Sequence, residues 1–124
     1  MNVEWPLPHD LSAARTARVH VAQDLALRGV QDAIADDILL VASELAANAV
    51  RHGRPPARLR LDYSPGRVRV TVTSHGGSAD PEIVDAATDA DHGRGLAMTQ
   101  AVADDMGWER DGERVQVWAE FSLS

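Results

Sequence analysis

Glu44, Asn48 and His52 recur every four residues in SELAANAVRHG, residues 43–53. The residues between them are apolar except Arg51, and no Pro or Gly interrupts before Gly53. Such a stretch forms a helix, and on a helix positions four apart are separated by about 40° around the axis. Glu44 and Asn48 therefore project side by side, with His52 one turn further on. A carboxylate so placed can take a proton, and an amide oxygen can bind a hard cation. Mg²⁺ takes oxygen ligands and keeps several waters, so one amide oxygen is enough to help hold it. The same line also suits a solvent-facing helix side, and spacing alone does not choose between the two.

Two glycine-rich stretches are the other candidates. In HGRGL, residues 92–96, Gly93, Arg94 and Gly95 precede an apolar helical pattern. Free backbone N–H groups at a helix start attract anions, and glycine lets a phosphate approach the backbone closely. In RVTVTSHGG, residues 69–77, a strand pattern ends in Ser74, His75 and Gly76. Taken singly, each is indistinguishable from an ordinary turn. The five histidines show no metal-ligand spacing, and Trp5, Trp108 and Trp118 read as packing residues. Arg15 and Arg18 read as a solvated helix face that could also meet a partner.

The elements that must position these residues follow from period and punctuation. Residues 3–7 fit a short edge strand limited by Pro6 and Pro8. Ser12 is the expected N-cap of a helix reaching about Arg28 and closed by Gly29, with Ala14, Ala17, Val21 and Leu25 inward. A second helix is expected over residues 32–52, with Ala35, Ile38, Ala42, Leu45, Ala46 and Ala49 as its core stripe. The period then becomes two. Leu59, Leu61 and Tyr63 alternate with Arg58, Arg60 and Asp62, and Val68, Val70 and Val72 alternate with Arg67, Arg69, Thr71 and Thr73. Ser64-Pro65-Gly66 joins them as an antiparallel hairpin with one buried face. Residues 81–92, acidic and weakly patterned, read as a mobile segment with room for one helical turn. A helix is expected over 95–106 with Gly107 at its C′ position, then a strand over 115–121. Helices and a mixed or antiparallel sheet in one short chain make an α+β, two-layer sandwich with helices on one sheet face.

The 124 residues fit one domain, residues 1–124, with a core of useful size. The net charge of −7 argues against nonspecific nucleic-acid binding, which needs a basic footprint. The chain has no cysteine, so disulfides and thiolate metal sites are excluded, in keeping with a cytoplasmic protein. No apolar run reaches membrane-spanning length, and the N-terminus lacks the pattern of a secretory signal. All 12 basic residues are arginine. A cation that meets a phosphate must therefore be Arg, and lysine Schiff-base chemistry is impossible.

In order along the chain, the three stretches are more telling than any one alone. SELAANAVRHG, then RVTVTSHGG, then HGRGL resembles the N-box and two glycine boxes of the gyrase and histidine-kinase-like ATPases. The N-box wording, the short lid, the leader PHDLSAARTARVHVAQDLALRGV and the closing VQVWAEF resemble one branch, the stand-alone anti-sigma-factor serine/threonine kinases. The resemblance spans almost the whole chain. It implies a Bergerat-type ATP-binding fold, with ATP and Mg²⁺ as cofactors. It also implies that Asn48 is the Mg²⁺ ligand, that Glu44 is the general base, and that Gly93, Arg94, Gly95 and Leu96 present backbone amides to phosphates. His52, Ser74 and Gly76 would complete the nucleotide site, roofed by residues 81–92. The implied partners are a sigma factor and an anti-sigma-factor antagonist that the kinase phosphorylates, and the implied assembly is a homodimer.

The first glycine box is degenerate. The family has an Asp where this chain has Ser74, and that Asp accepts a hydrogen bond from the adenine amino group. A hydroxyl both donates and accepts, whereas an ionised carboxylate only accepts. The departure therefore points to an altered base preference. It also opens an alternative, a catalytically weak or inactive nucleotide- or partner-binding module of the same fold.

Overall fold

The computed structural model describes residues 1–30, 32–76 and 94–123. The expected lid, residues 81–92, lies outside them, as do Gly77 and Gly93. The elements run β1 (Asn2–Leu7), α1 (Ala13–Leu27), α2 (Asp32–His52), β2 (Arg54–Ser64), β3 (Arg67–His75), α3 (Arg94–Val102), β4 (Asp105–Asp111) and β5 (Arg114–Ser122). The five strands form one sheet in the order β1-β2-β3-β5-β4, antiparallel at every pairing. The fold is the expected α+β sandwich. α2 lies at the centre of the helix layer, against α1 on one side and α3 on the other.

The core is the apolar half of each alternation closed against the helices. Leu59 and Leu61 from β2, Val68, Val70 and Val72 from β3, and Ala119 and Phe121 from β5 are buried. They pack with Ala17, Val21 and Leu25 of α1 and with Ile38, Val41, Ala42, Leu45, Ala46 and Ala49 of α2. The small residues of α2 let the helix axis approach the sheet, and burial of an aliphatic side chain of Val or Leu size contributes roughly 1.5–3 kcal/mol. The other sheet face is polar. Arg58 pairs with Glu4, Arg60 with Asp62 at 3.0 Å, and Arg67 and Arg69 both with Glu120. The Arg69 guanidinium also lies 4.1 Å from the centre of the Trp118 ring. Surface pairs of this kind contribute at most about 1 kcal/mol each, so they organise the face more than they hold the fold.

Four local details differ from the sequence reading. Ser12 precedes α1 but makes no capping bond; its hydroxyl donates instead to Asp10 Oδ1 at 2.5 Å. Ala13 is buried in α1, whereas Ala14 is only half-buried. β2 starts at Arg54 and takes in Pro55 and Pro56, ahead of the alternating run that begins at Arg58 in the sequence. The helix expected over 95–106 ends at Val102, and Asp105–Asp111 forms a strand, β4, that the sequence reading did not contain. Asp104 turns the chain there: its N–H donates to the Glu120 carbonyl at 2.9 Å and its carboxylate accepts the Ser122 N–H at 2.5 Å. Gly107 is therefore not a helix C′ residue. It lies in β4 beneath Trp118, whose Cζ2 would be 2.6 Å from an added Cβ.

A polar cluster ties α1 to the end of β2. Asp24 Oδ2 accepts the Tyr63 hydroxyl at 2.5 Å and Arg28 Nε at 3.2 Å, and the Arg28 guanidinium stacks 4.2 Å from the Tyr63 ring centre. Burial pushes the Tyr63 phenol up, and its bond to Asp24 adds to this, while Arg28 opposes it. A pKa raised by folding means the neutral phenol contributes stability below its ordinary value of 10.0, and that contribution is lost as pH rises above it. Tyr63 is the single tyrosine, so phenolate absorbance reports on it alone. We expect no phenolate step near pH 10 in the folded protein and a step there in denaturant; a step near pH 10 in both would refute the cluster. Tyr63→Phe should lower unfolding stability by about 1 kcal/mol in a urea titration.

Candidate nucleotide site

α2 brings Glu44 and Asn48 to one side of the helix, and both are half-buried. Ser43 beside them is buried and its hydroxyl donates to the Leu40 carbonyl at 2.8 Å, within the helix. Asn48 is different. Its Oδ1 is buried and has no hydrogen-bond partner among the described residues. Leaving a buried acceptor unmade costs about 1–3 kcal/mol, so such an atom calls for a partner that the described residues do not supply. An amide oxygen in this state suits a hard cation or a water bound to one. His52, one turn on, is exposed at the end of α2.

The end of β3 meets the end of α2. Ser74 continues the inward series Val68, Val70, Val72, and it is 8% exposed. A Cβ added at Gly53 would lie 2.6 Å from Ser74 Oγ, 2.9 Å from Ser74 Cβ and 2.8 Å from the Ala49 carbonyl oxygen. Only glycine fits there. Gly53 also donates its N–H to Ala49 O at 2.9 Å, closing the last helical turn. Gly53 was expected as a helix stop. Its contact with Ser74, 21 positions away, has no local signal in the sequence.

Gly76 follows at φ +68, a conformation that favours glycine. Its N–H donates to the Glu113 carbonyl at 2.7 Å, and its carbonyl accepts Arg110 Nη1 at 3.3 Å. The Arg54 guanidinium occupies the space a side chain would need, and its Nη2 lies 3.5 Å from Glu113 Oε1. Arg54, Arg110 and Glu113 come from three different strands or turns, which is why sequence reading did not find them. His75 Nδ1 is 2.9 Å from the Pro56 carbonyl, on the same strand end. α3 opens at Arg94, one residue before the expected Gly95, and packs beside α2. The first N–H groups of any helix lack intrahelical partners, so Arg94, Gly95 and Leu96 present backbone donors at the start of α3 by position. Gly93 lies outside the described residues.

A helix carrying a carboxylate and an unpartnered amide oxygen, a strand ending in small polar residues and a helix start, all on a five-stranded antiparallel sheet, define the class of the Bergerat-type fold. Residues 7–121 match the family described as Histidine kinase-like ATPase domain, and the chain belongs to that family. No curated protein matches the sequence. Among solved structures, the RsbU and RsbW domains of Rv1364c from Mycobacterium tuberculosis are similar at TM-score 0.78 and 22% identity, over 99% of this chain and 32% of that one. The SiaB-SiaC complex from Pseudomonas aeruginosa is similar at TM-score 0.72 and 13% identity, over 96% and 88%. The histidine kinase domain of the blue-light activated histidine kinase EL346 from Erythrobacter litoralis follows at TM-score 0.54 and 25% identity, over 73% and 45%. This chain thus spans about a third of the first of these and most of the second.

The Gly53 contact yields a direct test. Gly53→Ala forces a methyl into Ser74 and a backbone carbonyl, and overpacking of this sort costs about 1–3 kcal/mol. We expect a lower melting temperature for Gly53→Ala and a smaller loss for Gly53→Ala combined with Ser74→Gly. Equal loss in both would show that Ser74 is not the obstructing group.

Proposed function

We propose that the chain is an ATP-binding regulatory protein of the serine/threonine kinase kind, acting in the cytoplasm on an anti-sigma-factor antagonist and holding a sigma factor. Asn48 Oδ1, buried and without a partner, carries this reading. It is the atom that a Mg²⁺–nucleotide complex would satisfy. Mg²⁺, when bound, would neutralise phosphate charge and orient the transferred group. Asn48 would offer one oxygen to it and leave the remaining positions to phosphates and water.

The chain's own residues divide the rest. Glu44, four residues before Asn48 on the same helix side, would accept the proton of an attacking Ser/Thr hydroxyl. Ser74 and Gly76 would meet the base, and the start of α3, at Arg94, Gly95 and Leu96, would bind phosphate oxygens through backbone N–H groups. Phosphoryl transfer asks mainly for positioning and charge stabilisation, so two polar side chains on a rigid helix and a helix start suffice. The family match supports the ATPase fold, and the named RsbW and SiaB-SiaC neighbours support an antagonist as the partner class. Ser74 favours a second reading, a module of the same fold that captures nucleotide or partner without transfer.

Calorimetric titration with ATP, with and without Mg²⁺, tests the site. Asn48→Ala should remove the Mg²⁺-dependent part of binding. Glu44→Ala should keep binding and lower phosphate transfer to a Ser/Thr antagonist by about 10²–10⁴-fold. Transfer at the wild-type rate would remove Glu44 from the mechanism, and Mg²⁺-dependent ATP binding without any transfer would establish the module instead.

A further inference from the structure

We propose that Ser74 and Gly53 make the base end of the site tolerant of the group at position 6 of the purine, so that guanine and hypoxanthine nucleoside triphosphates are ligands beside ATP. This rests on the nucleotide-binding reading above. Ser74 is more than nine-tenths buried, at the end of β3 and against Gly53. Asn48 Oδ1 is buried without a hydrogen-bond partner among the described residues, and Asn48 and Ser74 lie on elements that touch through Gly53.

The chemistry of the hydroxyl decides the selectivity. A carboxylate only accepts, so it favours a 6-amino group and repels a 6-oxo group. A hydroxyl rotates to accept from the first or donate to the second. The Ala49 carbonyl, the backbone acceptor beside Gly53, already receives the Gly53 N–H at 2.9 Å. Gly53 supplies the room for that rotation, because a methyl at this position would lie 2.6 Å from Ser74 Oγ. Replacing a charge-assisted bond by a neutral one weakens adenine binding by about tenfold. Removing the repulsion of the 6-oxo group acts the other way on guanine. The two effects together bring the purines close in affinity.

The test is titration of the full chain with ATP, GTP and ITP in the presence of Mg²⁺, beside Ser74→Asp and Ser74→Ala, with thermal melts to confirm folding. We expect wild-type dissociation constants for ATP and GTP within about tenfold of each other. Ser74→Asp should shift the ratio toward ATP by about tenfold or more, and Ser74→Ala should weaken both by about fivefold. ATP binding with GTP about 100-fold weaker, or an unchanged ratio in a folded Ser74→Asp, would overturn this inference and leave the nucleotide site standing. Failure of all three nucleotides to bind overturns both. Should Ser74→Asp not fold, the wild-type ratio decides alone.

Discussion

The contact between the last turn of α2 and the end of β3 is the constraint on which the rest of the site depends. α2 carries Glu44 and Asn48, whereas β3 carries Ser74 and Gly76. Their relative position is set where Gly53 lies against the Ser74 side chain, with no room for even a methyl group. A helix rises about 1.5 Å per residue, so a slip of one residue along α2 would carry Asn48 out of line with the strand end. The aliphatic core below gives the helix its depth over the sheet, and the Gly53 contact gives it its axial position. Neither alone would place two polar side chains to within the fraction of an ångström that chemistry on a bound group requires.

Stability and site make opposite demands on the same helix. Along α2 the core stripe is fully buried, from Ile38 to Ala49, and contributes packing. One position off that stripe, an amide oxygen is buried without a partner. Native interiors satisfy almost all such groups, and the exceptions gather where a ligand completes the structure. Among the described residues, Asn48 on α2 departs from that rule, as does the His9 Nδ1 ahead of α1. The polar sheet face shows no such departure. Its arginines are matched by Glu4, Asp62 and Glu120 within the same molecule.

The sequence made the layers legible because their signals are periodic. α1, α2 and the β2–β3 hairpin follow from spacings of 3.6 and 2 that run for many residues, and their buried positions are largely those expected. β4 was missed because its seven residues, DMGWERD, hold only two apolar side chains and follow directly on a helix. Its strand character comes from pairing with β5 and from Trp118 covering Gly107, both tertiary facts. Asn48 was identifiable by its residue type on an apolar helix, although its missing partner was not. Ser74 stood out as a departure from a pattern. The Gly53 contact and the Arg54, Arg110 and Glu113 bonds around Gly76 join distant segments, so no local rule could have found them.

The two edges of the sheet carry a consequence for how copies of this protein meet in a crowded solution. Among the described residues, β1 and β4 are the outer strands, each with a row of backbone groups outside the sheet's own pairing, the usual invitation to fibril-like growth. On β1, Pro6 lacks the N–H that a visiting strand would bond. On β4, Asp105, Glu109 and Asp111 would face carboxylates from a second β4 laid against it. Both borders of the sheet thus resist continuation by another copy. Strand addition between copies is disfavoured at both edges, which leaves the helix layer and the sheet face as the surfaces for self-association.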